Sequence, residues 1–564
     1  MDTRTRVYLL LDYGEYYGET KTIEDAKQFI KDIPSEALIN YVAGINSHLY
    51  LKENDDESQR LQTALAKNLL DRIGSDAESK YIEVIKKQMD SGHSPIIFWN
   101  YTNLQFYNLI FENFNDLPFR ELTPSEIQNF LDTYLILNDI ANKRINIDKE
   151  EFDKAIAENT FESMVMTNFI YQKDYASTVD YANQVTRGVM LFRYLENDLA
   201  FGPVMIDFYH EKKVGGYLEM FRNLMVLFVE VGIGTGHRKQ VADLSGLKSE
   251  GFITPAYLDT LCINIAIPTY KVDQSFTTLR NKFLYKIAAN RYYILDVNFM
   301  IDHFYKAQVF GVNNFLKEKG ITKEFLSVKG KDFSDAIYFP TVMNICFPRY
   351  TKYFGDQCKN SKNEELCDGY IRNGNKLILI EFKDVLLNAS VKNAADKMRL
   401  FNEFRTKFVE NQKGKPKGMS QLKAAIADID ENLVSFDPEL SLEDLVIYPI
   451  IVYTDLSFGT DGLNEYYRGK FSEMIADLDL KNIFVQNLTF INLNFFEFSQ
   501  DYFAKGITDV FVYLENYQEH IKDEKFKLTP FEVFSRSYNN DYYHEQLGQP
   551  ESYLTVQKEI IDSV

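Results

Sequence analysis

The residues whose types and spacing can do chemistry lie between positions 368 and 383. Asn373-Gly374 sits between two β-rich runs, a strong hairpin signal, because both residues tolerate positive φ in a tight turn. A two-residue loop pairs 372 with 375, and so 368 with 379; a four-residue loop pairs 372 with 377, and so 368 with 381. Directly opposed residues point to one face and strand side chains alternate. In either register Asp368, Glu381 and Lys383 therefore share a face, whereas a three-residue loop would separate them.

Two carboxylates and a lysine on one hairpin face, beside Arg372 and Lys376, suit a hard cation that keeps positions open for water and a phosphate oxygen. Such an ion polarises a phosphoryl group and supplies hydroxide. Lys383 would orient or deprotonate the attacking water, or steady the developing negative charge. The expected chemistry is phosphodiester hydrolysis with Mg²⁺ or Mn²⁺.

These residues resemble the signature of the PD-(D/E)XK nuclease superfamily: an acid at a strand start, an apolar strand, then Glu-x-Lys. Asp368 and Glu381-Phe382-Lys383 match it, with residues 377–380 as the apolar strand. The resemblance implies that Asp368 and Glu381 bind the metal, that the backbone carbonyl of Phe382 adds a ligand, and that Lys383 is catalytic. It also implies a helix carrying a Gln after the Lys. Residues 417–422 match that element, which makes Gln421 a candidate for positioning water or phosphate. The resemblance covers about 290–500, with the sharp motif confined to some 55 residues. Two positions depart from the pattern. Cys367 stands where a Pro often precedes the Asp, and the upstream helix, which usually supplies a further acid, offers Asp332 and Asp335 in place of a glutamate. Asp335 fills that role or the position is empty.

The whole chain of 564 residues carries a net charge of −20, which argues against coating nucleic acid with its entire surface. The window 372–423 is different: 12 basic and 5 acidic residues give it +7 on a remainder of −27. Within it, Lys413, Lys415 and Lys417, together with Arg372 and Lys376, are candidates for contact with a phosphate backbone. The expected partner is nucleic acid, DNA ranked ahead of RNA, with a protein partner or second copy engaged through the N-terminal half.

A competing signal is the run 227–236, ending Gly232-Ile233-Gly234-Thr235-Gly236. It looks like the first motif of Rossmann-type S-adenosylmethionine methyltransferases. Residues 217–228, however, carry a helical stripe, and no acid-ended strand follows about 20 residues on. The segment reads as a helix with a glycine-rich C-cap. The seven histidines show no metal-ligand spacing and read as packing or surface residues; the cysteines at 262, 346, 358 and 367 form no CxxC pair and no disulfide framework, and read as free thiols in a reducing, cytoplasmic setting. Residues 224–229, the longest apolar run that stands out, fall far short of the roughly 18–20 residues needed to span a bilayer. The first 22 residues are no signal peptide.

The elements that must position the site follow from periodicity. Thr123-Pro124-Ser125-Glu126 opens a helix with Ile127, Phe130, Leu131, Tyr134 and Leu135 as one stripe. Similar stripes run through 22–33, 57–72, 76–90 and 177–200. Helices are predicted over 297–312, 333–345, 389–410, 418–429 and 463–478, and strands over 368–383, 446–453 and 488–493. The expected fold is α+β and multidomain: a mainly helical region over 1–290, of one or two subdomains, and a PD-(D/E)XK-like α/β domain over 291–564 with a central mixed sheet flanked by helices. The function so implied is a metal-dependent nuclease, in the manner of bacterial restriction or antiviral defence enzymes. The alternatives are an inactive nuclease-fold module that binds nucleic acid or protein and, behind it, the methyltransferase.

Overall fold

Local chemistry sets the helices of the N-terminal half. Thr123 Oγ1 accepts from the Glu126 amide while Glu126 Oε2 accepts from the Thr123 amide, a reciprocal cap that starts the helix Pro124–Ile145. Its stripe Ile127, Phe130, Leu131, Tyr134 and Leu135 is buried, as the 3.6-residue period predicts. Further helices span Ile23–Ile30, Asp55–Ile73, Ser75–Asp90 and Tyr181–Asn197.

The computed structural model describes residues 9–50, 55–90, 95–145, 149–176, 179–231, 239–247, 251–321, 323–394, 396–431, 434–480, 483–543 and 548–563. The chain divides into two units. One comprises Val7–Asn146, Tyr175–Gly320 and Val556–Val564; the other comprises Met1–Arg6, Ile147–Asp174 and Ile321–Thr555. The first is mainly helical and carries a small antiparallel sheet of Val241–Asp243, Arg291–Ile294 and Leu284–Ala288. Asn290, where the sequence pattern puts a boundary, is instead the left-handed residue (φ 58°) in the turn joining two of these paired strands. The chain passes between the two units at five points, of which 320/321 is one.

The second unit is a mixed α/β arrangement around a six-stranded sheet. Its strands are β1 (Thr351–Phe354), β2 (Gly369–Asn373), β3 (Lys376–Lys383), β4 (Leu445–Tyr453), β5 (Ile483–Val485) and β6 (Thr489–Asn492). β1, β2 and β3 form an antiparallel meander. β4 lies parallel to β3, and β5 and β6 share the far edge of β4, both parallel to it. Parallel neighbours need a crossover, here supplied by helices α2 (Lys397–Phe408) and α3 (Met419–Asp430). Ile378, Leu379 and Ile380 of β3 are fully buried, as a central strand covered on both faces requires. One face packs through Tyr370, Leu377 and Leu379 into a cluster with Phe404, Phe408, Leu422 and Ile426 of α2 and α3. On the other, Phe339 of α1 (Phe339–Cys346) stacks on Phe382, ring centroids 4.7 Å apart. Gly369 permits that approach, since a Cβ there would lie 3.2 Å from the Phe339 ring.

Two predicted helices are each broken in two. The 297–312 stripe becomes Val297–Asp302 and Lys306–Glu318, interrupted at Tyr305, whose φ and ψ of −138° and −66° are not helical. The 389–410 stripe becomes Ala389–Ala394 and α2, because Asp396 turns back to cap the Arg399 amide and starts a new helix. The segment leading into the glycine-rich run is the helix Tyr217–Glu230 rather than a Rossmann strand; Gly232, Gly234 and Gly236 lie outside the described residues. All four cysteines are buried free thiols, and no described helix is long and apolar enough to cross a membrane.

Candidate functional site

The β2–β3 hairpin fixes the site. Asn373 pairs with Lys376 and Arg372 with Leu377, which puts Asp368, one residue before β2, opposite Glu381. This is the longer-loop register of the two expected. The turn itself differs by one residue: Gly374-Asn375 forms the tip, with Gly374 alone at positive φ (61°), while Asn373 stays in the strand. A glycine at the first central position is what such a turn needs, so the Asn has no left-handed role.

Asp368, Glu381 and Lys383 come together on the face covered by α2 and α3. Lys383 Nζ donates to Glu381 Oε2 at 2.7 Å and lies 3.6 Å from Asp368 Oδ2. Asp368 Oδ2 also accepts the Phe382 amide at 2.6 Å. Because a strand residue turns its N–H and C=O to the same flank, the Phe382 carbonyl faces toward Asp368 as well. Glu381 is 0% exposed, and its Oε1 is buried with no hydrogen-bond partner. Burial pushes the Glu381 carboxyl up, the Asp368 charge adds to this, and the one lysine does not offset them. Burial alone would lower the Lys383 ammonium, but Glu381 and Asp368 outweigh it and hold the proton on.

Asp335 lies on a helix whose segment Lys329–Tyr338 is π-wound. Its side chain is open to solvent on one side, yet surrounding protein and the charges of Asp368 and Asp384 push its carboxyl up to about 7. Glu365 is raised too, by burial and by Asp368. Asp384, next after Lys383, is the exception: burial would raise it, but Lys329 and its hydrogen bonds from Ser334 and Thr454 hold it low. Five carboxylates thus share three ammoniums, Lys329, Lys383 and, acting on Glu365, Lys359, an imbalance that favours a cation. Among the described residues, however, no group of three or more His, Cys, Asp or Glu side chains is arranged to hold a metal ion. The donor set fits a divalent ion in part: two carboxylates, one with a buried unpartnered oxygen, and a carbonyl on the same flank, with Lys383 drawn into the remaining space.

The other expected residues divide. Gln421 stands in the first turn of α3, where its Oε1 accepts the Gly418 amide at 2.9 Å; it has no hydrogen bond to the trio. Arg372 is not free for phosphate. Its side chain is 8% exposed and forks onto Asp437, Nε to Oδ2 at 2.5 Å and Nη2 to Oδ1 at 2.8 Å. Lys376 is ion-paired with Glu515 at 2.6 Å, and the Tyr448 hydroxyl donates to the same oxygen. Both are engaged for one reason: partners distant in the chain fold back onto the hairpin, enclosing Arg372 and leaving the Lys376 side chain 37% exposed. Lys413 and Lys415 are exposed and Lys417 half-buried, on a turn shaped by Asn411, whose Oδ1 accepts the amides of 413 and 415. Sequence reasoning missed Asp384, Lys329, Ser334 and Asp437. Only Asp384 had a signal, its place directly after the Glu-x-Lys.

Compared with protein-family models, curated proteins and solved structures, the chain matches none.

Proposed function

We propose that this protein is a divalent-metal-dependent nuclease of the PD-(D/E)XK type, with Asp368, Glu381 and the Phe382 carbonyl as the metal-holding set. The observation that carries the reading is the fully buried Glu381, one oxygen unpartnered, bridged to Asp368 through Lys383 on one strand face. Lys383 pairs one oxygen of this carboxylate and leaves the other buried and unsatisfied, which costs stability, so its retention beside a second acid speaks for a task. Mg²⁺ or Mn²⁺ held there would polarise a phosphoryl oxygen and lower the pKa of a bound water. Lys383, whose proton is held by two carboxylates, acts as a hydrogen-bond donor to water and a counter-charge to the phosphorane-like transition state rather than as a base. Lys413, Lys415 and Lys417 supply backbone contacts that position a nucleic acid without choosing its sequence.

The test is incubation of the full chain with single- and double-stranded DNA and RNA, with and without Mg²⁺ or Mn²⁺. Metal-dependent cutting is expected, lost in Lys383→Ala and in Asp368→Ala. Cutting without metal, or full activity in Lys383→Ala, overturns the reading. The lack of a three-donor group among the described residues favours a second reading, an inactive nuclease-type module that binds nucleic acid without cleaving it. Retained binding with no cleavage of any substrate would select it.

A further inference from the structure

Three side chains close on the Asp384 carboxylate at the exit of β3. Lys329 pairs with Oδ2, Ser334 Oγ donates to Oδ2 at 2.5 Å, and Thr454 Oγ1, just past β4, donates to Oδ1 at 2.8 Å. The Lys329 and Asp384 side chains are 11% and 7% exposed. Burying an ion pair gains little over apolar packing, so stability is a weak reason for this arrangement and fixing a particular geometry a better one.

The geometry is the π winding. Lys329 and Ser334 are five residues apart, so on an α-helix of 3.6 residues per turn they would point about 140° apart and miss a common carboxylate. Winding with i→i+5 bonds stacks them on one side. The π segment lies between the ordinary helical turns Phe325–Val328 and α1, and Asp384 grips the two residues that only the wide winding aligns. Asp335 follows Ser334 directly, in the same turn. The far end of the segment is held separately, where the Tyr338 hydroxyl donates to Glu497.

We propose that Asp384 is a positioning residue: by holding Lys329 and Ser334 it keeps residues 329–338 in the wide winding and so keeps Asp335 turned toward Asp368 and Lys383. The inference rests on the nuclease reading of the site. Without that grip the segment tightens toward an α-helix and Asp335 rotates away from the other acids.

Asp384→Asn, which keeps shape and loses charge, is expected to lower kcat for metal-dependent cleavage by about 10- to 100-fold, with KM changed by less than about twofold. If Asp384 acts through Asp335, the double variant Asp335→Asn/Asp384→Asn is no slower than Asp335→Asn alone. Losses that multiply, or wild-type kcat in Asp384→Asn, overturn the proposal. Amide hydrogen exchange reads the same point without activity: exchange in Asp384→Asn is expected to rise over 329–338 and to stay unchanged over α2. Unchanged exchange over 329–338 overturns the positioning role. A wild-type chain that cleaves nothing overturns the nuclease reading instead, leaving the exchange result to decide on the winding. Ser334→Ala, which strands no charge, is expected to repeat both effects at smaller scale; silence in both readouts counts against the proposal.

Discussion

Removing Asp437 separates two roles for the hairpin arginine. Arg372 and Asp437 have side chains 8% and 2% exposed, and the carboxylate accepts two guanidinium bonds and the Tyr370 hydroxyl at 2.8 Å. In Asp437→Ala the guanidinium keeps the neutral Tyr370 hydroxyl, the Gly374 carbonyl at 3.2 Å and the distant, exposed Glu439 at 3.8 Å. Stranding one member of a buried pair costs about 3–5 kcal/mol, whereas replacing both by apolar residues is close to neutral. The expected pattern is therefore a large loss in Asp437→Ala and recovery of most of it in Arg372→Met/Asp437→Leu. For a unit of this size the loss corresponds to a fall of roughly 10 °C in melting temperature. Far-UV circular dichroism of the full chain reads it. Fluorescence of Trp99, the only tryptophan, reports the other unit and serves as an internal control. A loss below about 1 kcal/mol, the worth of an exposed pair, would refute the argument and return Arg372 to the pool of phosphate contacts.

Three further outcomes are expected. His303 is buried, with its Nε2 2.8 Å from the Arg280 carbonyl oxygen and Nδ1 unpartnered, and burial lowers its pKa from 6.5 to about 4. Because the folded state disfavours the proton, its contribution is fully present above pH 6.5 and is lost as pH falls toward 4, an amount of about 3 kcal/mol. Urea melts across that window should show a flatter pH dependence in His303→Gln. Replacing Lys413, Lys415 and Lys417 together by Gln should weaken nucleic-acid binding alike for all sequences and reduce the logarithmic salt slope by about 2–3, read by anisotropy titrations; an unchanged slope would place the backbone elsewhere. Mn²⁺ should raise the melting temperature of the wild-type chain, with no rise in Asp368→Ala, because only a folded, acid-bearing site binds it. An equal rise in the variant would move the metal to another place.

The features legible in the sequence are those set by neighbours in the chain. The shared face of Asp368, Glu381 and Lys383 follows from strand alternation and one short turn, and the stripe of Pro124–Ile145 from its period. What was illegible depends on contacts at long separation. Asp437 lies 65 residues from Arg372 and Glu515 139 from Lys376, and neither spacing leaves a trace in the pattern of either hairpin strand. The π segment was equally hidden: its apolar positions read as an ordinary helix, and only the five-residue interval from Lys329 to Ser334, meaningless until Asp384 is placed between them, marks the wider turn.

The division of the chain bears on how the molecule is made. Met166 and Ile170, on a segment that precedes the helical unit's second stretch, pack in the core beneath the sheet, which is completed only some hundreds of residues later. The helical unit in turn waits for the stretch that begins at Val556, where Ile560 is fully buried and the Ser563 carbonyl accepts from Arg222 Nη1 at 2.9 Å. During synthesis the helical unit cannot close before Ile560 emerges, and the sheet cannot cover Met166 and Ile170 before its strands are made, so these apolar side chains stay exposed in the meantime. No single proteolytic cut or truncation yields either unit intact.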